Sequence, residues 1–378
     1  MNNPNPLESD METIKRFIHF SIPLSICNFR CSYCYLPHHD CTYEGVQPVM
    51  KYTPRQVGYA LRKERLGGAA YINMCGDGET LLLRDLPAYL FNFLTEGHYV
   101  EVVTNLTITP VLEEILRFPK ELLEHLEFKC SFHYSELKSK NKLEVFAENV
   151  RKIWRSGASA CVELTPSDEL IPQIDEIMEF SLRNFGAFPH VTIARDDRTK
   201  EIGYLTALSP EEFYKHWQRF NSSFLNFKKS IFGRRQTRFC YAGAWSYYID
   251  LCTGEARQCY CGKHLGNLFA DPDSPLPERP VGKCPLPHCY NGHMLLTLGL
   301  IPANNYPGYG DLRDRTTLNG QHWLNPKFKQ FINTELQQSN HPYSLVKRAV
   351  MCTQMKIADT YDALRFRLGR LKRAALNR

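Results

Sequence analysis

"IHFSIPLSICNFRCSYCY", residues 18–35, carries two signals in direct succession. Ile18, Phe20, Ile22 and Leu24 alternate with His19, Ser21 and Pro23, the period of a half-buried strand. Pro23 has no N–H to give a ladder, which predicts that this first strand lies at a sheet edge. Cys27, Cys31 and Cys34 follow at once, spaced C-x3-C-x2-C with aromatic residues between them. In open α/β sheets and in barrels, functional groups gather in the loops at the carboxyl ends of parallel strands. The fold therefore turns on whether the chain goes on to alternate strands with helices.

It does. Thr53-Pro54-Arg55-Gln56 reads as a capping box with proline at the first helical position, opening a helix to about Arg65 that Gly67-Gly68 closes. Strand-like runs follow at 69–75, 99–107, 126–134, 158–166 and 189–197. Between them, helical spacing recurs at 84–97, from Thr109-Pro110, at Leu143, Phe146, Ala147, Val150, Ile153 and Trp154, and from Ile171 to Phe185. Ser209-Pro210-Glu211-Glu212 caps a further helix to about Lys229. Six strands alternating with helices imply parallel βαβ units, in an open doubly wound sheet or a barrel fragment.

The chain has 378 residues, 43% hydrophobic and 23% charged, which suits one large globular domain plus a smaller one. It has no apolar run of membrane-spanning length, and its N-terminus has no secretory h-region, so a cytoplasmic protein is expected. In that compartment fourteen cysteines argue for metal or cluster binding rather than a disulfide framework. A net charge of +6 gives little reason to expect a nucleic-acid partner. Cys75, Cys130 and Cys161 lie in apolar strand-like runs and read as small buried hydrophobes.

Thiolates ligate zinc or iron–sulfur clusters. By spacing alone the 27–34 group admits a [4Fe–4S] cluster with one open iron, or a zinc site completed by a remote ligand such as His38 or Cys41. A second segment, "MCGDGET" (74–80), follows the second strand. Alone, Gly76-Asp77-Gly78-Glu79 reads as a plain turn. Beside a ligand site, its glycines would let backbone approach a small polar molecule, and its carbonyls and carboxylate would accept from an ammonium group.

Together these two segments resemble the radical S-adenosylmethionine superfamily: "CNFRCSYCY" follows its C-x3-C-x-aromatic-C signature, and Gly76–Glu79 stands where that family carries a Gly-Gly-Glu-like segment. The resemblance implies a partial (β/α)6 barrel, open and TIM-like. It implies a [4Fe–4S] cluster on Cys27, Cys31 and Cys34, whose open iron takes the amino and carboxylate groups of S-adenosylmethionine. Tyr33 would lie near the adenine, and Thr104, Asn105, Ser131 and His133 would line the cofactor pocket. An external electron donor such as flavodoxin or ferredoxin is implied.

"CYAGAWSYYIDLCTGEARQC" (240–259) contains a predicted β-hairpin, Tyr247–Ile249 turning at Thr253-Gly254. The hairpin would bring Cys259 back beside Cys240, and a Pro-rich loop adds Cys284 and Cys289. This resembles the auxiliary-cluster extensions called SPASM and twitch domains. The first half fits C-x13-G-x4-C with Gly254, but the C-x2-C-x5-C-x3-C run of a full SPASM domain is missing, so the shorter twitch type fits better. The resemblance thus implies a second, auxiliary [4Fe–4S] cluster on Cys240, Cys259, Cys284 and Cys289, with Cys261 a rival ligand and structural zinc the alternative. His293, in a short apolar packing segment, reads first as a satisfied core histidine and second as a group supporting a site from behind, and the tail from Tyr361 reads as a basic amphipathic helix.

The expected organisation is a barrel over 1–232, a small cysteine-rich hairpin-and-loop domain over 233–310, and a helical tail over 311–378. The expected function is reductive cleavage of S-adenosylmethionine and abstraction of a substrate hydrogen, for an oxidation or bond-forming modification of a small molecule, carbohydrate or peptide side chain. The alternative is a non-catalytic, zinc-stabilised binding protein. A first strand near residue 17 favours a small molecule or carbohydrate, or a protein bound by other means, over a peptide gripped by an N-terminal recognition domain.

Overall fold

The computed structural model describes residues 12–35, 45–196, 198, 201–260, 262–302 and 305–354. His38, Cys41, Cys261 and the segment from Tyr361 lie outside the described residues. Six strands, β1 (Arg16–Ile22), β2 (Ala70–Gly76), β3 (Tyr99–Thr104), β4 (Leu126–Ser131), β5 (Ser159–Leu164) and β6 (His190–Val191), pair in chain order and all in parallel. This is the expected α/β architecture of an open, barrel-like parallel sheet. A two-stranded ribbon, β7 (Arg195–Asp196) with β8 (Gly203–Tyr204), takes up the end of the predicted sixth strand, so β6 itself is short.

The hairpin forms as predicted from β9 (Ser246–Asp250) and β10 (Glu255–Arg257), and β11 (His264–Asn267) adds to it. Its position corrects the edge expectation for the first strand. β9 pairs in parallel with β1, from Phe17↔Ser246 to Ser21↔Asp250, so β1 is an interior strand of a nine-stranded sheet ordered β11-β10-β9-β1-β2-β3-β4-β5-β6. Pro23 is tolerated because it stands one residue beyond Ile22, the last residue of β1, where no ladder bond is lost.

The predicted capping box at Thr53 forms, and the predicted cap at Ser209 proves to be a second one: Thr53 Oγ1 accepts from Gln56 N and Ser209 Oγ from Glu212 N, each at 3.3 Å. Each helix is shorter than its sequence pattern. The first ends at Ala60, before a separate turn at Lys63–Leu66. The second ends at Trp217, and a new helix, Ser223–Ile231, starts where Asn221 turns left-handed (φ 45°) and the Ser222 hydroxyl accepts from Leu225 N.

The helices cover the outer face of the sheet, where Phe20, Ile72, Met74, Val100, Val102, Phe128 and Val162 are buried. Helix Leu86–Thr95 supplies Tyr89, Leu90 and Phe93, the last stacked on Phe20 at 5.6 Å. The concave face is different in kind. Glu101 and Glu127 stand opposite one another on β3 and β4, and Glu163 follows on β5. Arg313, from the short helix Tyr309–Arg313, is fully buried among them, 2.8 Å from Glu163, 3.2 Å from Glu127 and 3.9 Å from Glu101. Tyr71 and Tyr309 hydroxyls also donate to Glu101. The start of the expected tail is thus part of the barrel's filling, and the later residues Trp323 and Phe328 are buried too. No helix among the described residues is long and apolar enough to cross a membrane.

Candidate active site

A cavity of about 310 Å³ opens over the carboxyl ends of the parallel strands. Cys27, Cys31 and Cys34 line it, together with Tyr33, Gly76, Gly78, Glu79, Thr104, Asn105, Ser131 and His133. Of the residues expected around the first site, Asp77 alone is not in the lining.

The cysteine loop is held by its neighbours' backbone. Asp77 N donates to Ile22 O and Glu79 N to Ile26 O, both at 2.8 Å, so the Gly76–Glu79 segment continues the β1–β2 pairing alongside residues 22–26. A Cβ on Gly78 would lie 2.2 Å from Ile26 O and 2.6 Å from Leu24 O. The close approach that makes glycine necessary there is to the cysteine loop itself. Asn28 fastens the same loop to the end of β3, accepting from Asn105 Nδ2 and donating to Thr107 Oγ1, both at 2.8 Å. Glu136 Oε2 accepts from Arg30 N at 3.0 Å.

Glu79 is buried, and its carboxylate is fully engaged by Leu81 N (3.0 Å), the Thr104 hydroxyl (2.5 Å) and Asn105 N (2.7 Å). Burial pushes its pKa up and these three donors pull it back. Its work in this arrangement is to clamp the end of β3 against the segment that holds the cysteine loop. The Tyr33 hydroxyl sits 2.8 Å from His133 Nδ1, and burial lowers the His133 pKa to about 4, keeping that ring neutral.

Burial raises the Cys27 pKa and pushes that of Cys31 up to about 12; for Cys31 the next causes are Glu136, Cys34 and Cys27. Cys34 lies close enough to oppose ionisation of both Cys27 and Cys31, and three thiols so placed are a donor set that a bound cationic centre would stabilise as thiolates. The first group therefore fits an iron–sulfur centre in its donor chemistry. Cys240, Cys259, Cys284 and Cys289 line a second, smaller cavity together with leucine, isoleucine and valine side chains. Its four thiols and apolar walls fit an enclosed cluster equally well. Among the described residues no three His, Cys, Asp or Glu side chains converge as a site for a single metal ion. Tyr260, Tyr290 and Asn291 line both cavities and form the partition between them.

Several cavity residues escape the sequence reading. His19 faces the cavity from β1, its ring stacked on Tyr248 at 5.1 Å, and burial lowers its pKa to about 3. Cys75 lines the cavity instead of the core, whereas Cys130 and Cys161 are fully buried. His293 also departs from expectation: it lines the cavity, and its buried Nδ1 has no hydrogen-bond partner. Lys129, Glu163, Thr192, Arg195 and Lys228 complete the wall on the β4–β6 side. The available signal was a charged residue at alternate positions of a buried strand, as in Lys129 of "LEFKCSFHY" and Glu163 of "ASACVELTP".

Residues 21–128 match the family described as Radical SAM superfamily, a span that includes the cysteine loop, Gly76–Glu79 and the ends of β2 and β3. A search of curated proteins gives no match. Solved structures similar to this chain include Streptococcus suis SuiB bound to S-adenosylmethionine, with 12% identity, 70% of this chain and 67% of that chain covered, and a TM-score of 0.43. They also include native anSMEcpe with bound AdoMet, with 13% identity, 67% and 78% covered, and a TM-score of 0.46. Archaeal TYW1 is similar over 40% of this chain and 49% of its own, with 19% identity and a TM-score of 0.29.

Proposed function

We propose that this chain is a radical S-adenosylmethionine enzyme that modifies a substrate held over the carboxyl ends of its parallel strands. One observation carries the reading: Cys27, Cys31 and Cys34 meet Gly76, Thr104 and Asn105 at one cavity, all inside the span that matches the radical SAM family, and Ser131 and His133, just past that span, line the same cavity. Bound to those cysteines, a [4Fe–4S] cluster with S-adenosylmethionine would supply one-electron cleavage and a 5′-deoxyadenosyl radical able to take hydrogen from a substrate.

The chain's own residues hold and shield that chemistry. Asp77 N, Glu79 N and Asn28 fix the cysteine loop against the ends of β1 and β3. Thr104 and Asn105, clamped by Glu79, and Ser131 offer polar groups for the cofactor's amino-acid and ribose ends, and Tyr33 borders the place for the adenine. Phe29, Val103 and Ile193 add apolar wall that limits water. We assign Cys240, Cys259, Cys284 and Cys289 to an auxiliary [4Fe–4S] cluster, beyond the Tyr260–Tyr290 partition, as an acceptor for the electron an oxidation leaves behind. The substrate is a small molecule, carbohydrate or peptide side chain, and a cytoplasmic flavodoxin or ferredoxin is the proposed electron donor.

The test is anaerobic purification with metal analysis, followed by dithionite reduction in the presence of S-adenosylmethionine. Iron with sulfide, and 5′-deoxyadenosine that disappears in Cys31→Ala, are expected. Zinc at both cysteine groups and no nucleoside product would replace this reading with that of a zinc-stabilised binding protein.

A further inference from the structure

The β5–β6 side of the cavity holds a buried ammonium that no carboxylate among the described residues pairs with directly. Lys228, on helix Ser223–Ile231, and Thr192, just past β6, meet there, and the Lys228 ammonium donates to the Thr192 hydroxyl. Among the described residues Lys228 has no carboxylate within ion-pair distance. Lys129 has one, Glu163 at 3.4 Å, but Glu163 also serves buried Arg313 at 2.8 Å. Arg195 lines the same wall, its guanidinium donating to Tyr290 O at 3.4 Å. The other acidic residue in the lining, Glu79, is committed to its three donors. His293 faces this wall with its buried Nδ1 unpartnered.

Charges and polar groups removed from water are normally paired. Burial, then Lys129, Arg195 and Arg313, bring the Lys228 pKa down to about 7 against the opposing pull of Glu163, as expected of an ammonium that lacks a counter-ion. We propose that Lys228, Thr192, Lys129 and His293 form a subsite for an oxyanion carried by the substrate, a carboxylate or a phosphate, with Lys228 its main partner. The inference rests on the proposed active site, since it makes this cavity the substrate chamber. An ammonium held by a hydroxyl, beside a second cation and a free ring nitrogen, offers donors on more than one side, which suits a group with several acceptor oxygens.

S-adenosylmethionine also carries a carboxylate, so the experiment must separate cofactor from substrate. The full-length, anaerobically reconstituted chain, saturated with S-adenosylmethionine, is titrated calorimetrically with inorganic phosphate and with acetate at constant ionic strength. Saturable binding of at least one anion, with Kd on the order of millimolar, is expected. It should weaken by about tenfold or more in Lys228→Met, and Lys228→Arg should restore it. Lys228→Gln is the second neutral variant should the methionine variant not fold. Preference for phosphate assigns a phosphorylated substrate, and preference for acetate a carboxylate. Absence of binding by either anion up to roughly 50 mM overturns the proposal, as does binding unchanged in both neutral variants. An equal loss of S-adenosylmethionine affinity in those variants also overturns it, because the subsite would then belong to the cofactor. The parent reading is judged separately, by 5′-deoxyadenosine formation in the wild-type chain.

Discussion

Replacing Arg313 with methionine should destabilise the barrel from within. The side chain has no solvent exposure, and three carboxylates lie 2.8, 3.2 and 3.9 Å from it. Methionine keeps most of the volume, so the cavity contribution is small and the loss is mainly that of the cation. Removing one partner from a buried ion pair costs about 3–5 kcal/mol, because the remaining charge is stranded. The lower half of that range is expected near neutral pH, since burial already raises the Glu127 pKa to about 7 and part of its charge is absent. Unfolding entropy for a chain of this size is roughly 0.8 kcal/mol per kelvin, so a loss of about 4 kcal/mol lowers Tm by roughly 5 °C.

The sign of the pH dependence follows from the same group. Glu127 has a folded pKa above its unfolded value. Between about pH 4.5 and 7 the native state therefore holds a proton that the unfolded chain has released, and stability falls as pH rises. Without Arg313 the folded pKa values of Glu127 and Glu163 both move upward, so the deficit of the variant should widen from pH 5 to pH 8. Thermal scans of wild type and Arg313→Met at both pH values test this, with Glu127→Gln in the variant background expected to recover part of the loss. A Tm shift under about 1 °C, or a deficit larger at pH 5 than at pH 8, would refute the assignment of Arg313 as the barrel's buried counter-ion.

Gly78→Val should dislodge the cysteine loop, because its Cβ would meet Ile26 O at 2.2 Å; iron at the first site should fall along with S-adenosylmethionine binding. Full iron with only cofactor affinity reduced would mean that the glycine faces ligand rather than loop. The triple Cys→Ala variant at 27, 31 and 34 should keep roughly half of about eight irons, and zinc in their place would make the second site structural. Cys259→Ala should spare 5′-deoxyadenosine formation while stopping turnover of the true substrate, and turnover that survives would remove the oxidative role of the second site.

The sequence made the order of elements readable because each relied on local physics. Alternation at Ile18–Leu24, the capping boxes at Thr53 and Ser209 and the turn at Thr253-Gly254 need no distant partner to be recognised. The cysteine loop and Gly76–Glu79 were legible for the same reason, as short segments of unusual chemistry. What stayed hidden depends on pairing across long separations. Nothing near Pro23 reveals that Ser246–Asp250 will lie beside β1. Arg313 reads as an ordinary surface charge until Glu101, Glu127 and Glu163 surround it. Lys228 sits in an amphipathic helix beside Lys229, and only its orientation toward Thr192 distinguishes it from a solvated neighbour.

The β1–β9 pairing also sets an order of assembly. Phe17, on the strand that leads into the first cysteine loop, pairs with Ser246, so during synthesis β1 lacks one of its two neighbours until most of the chain has left the ribosome. Until then the free side of β1 presents unpaired N–H and C=O groups beside apolar side chains, the features that invite pairing with other chains. A fragment ending at residue 232 would retain that exposed edge permanently. The loop at Cys27, although encoded near the beginning, gains its full framework only when β9 arrives, after most of the chain has been made.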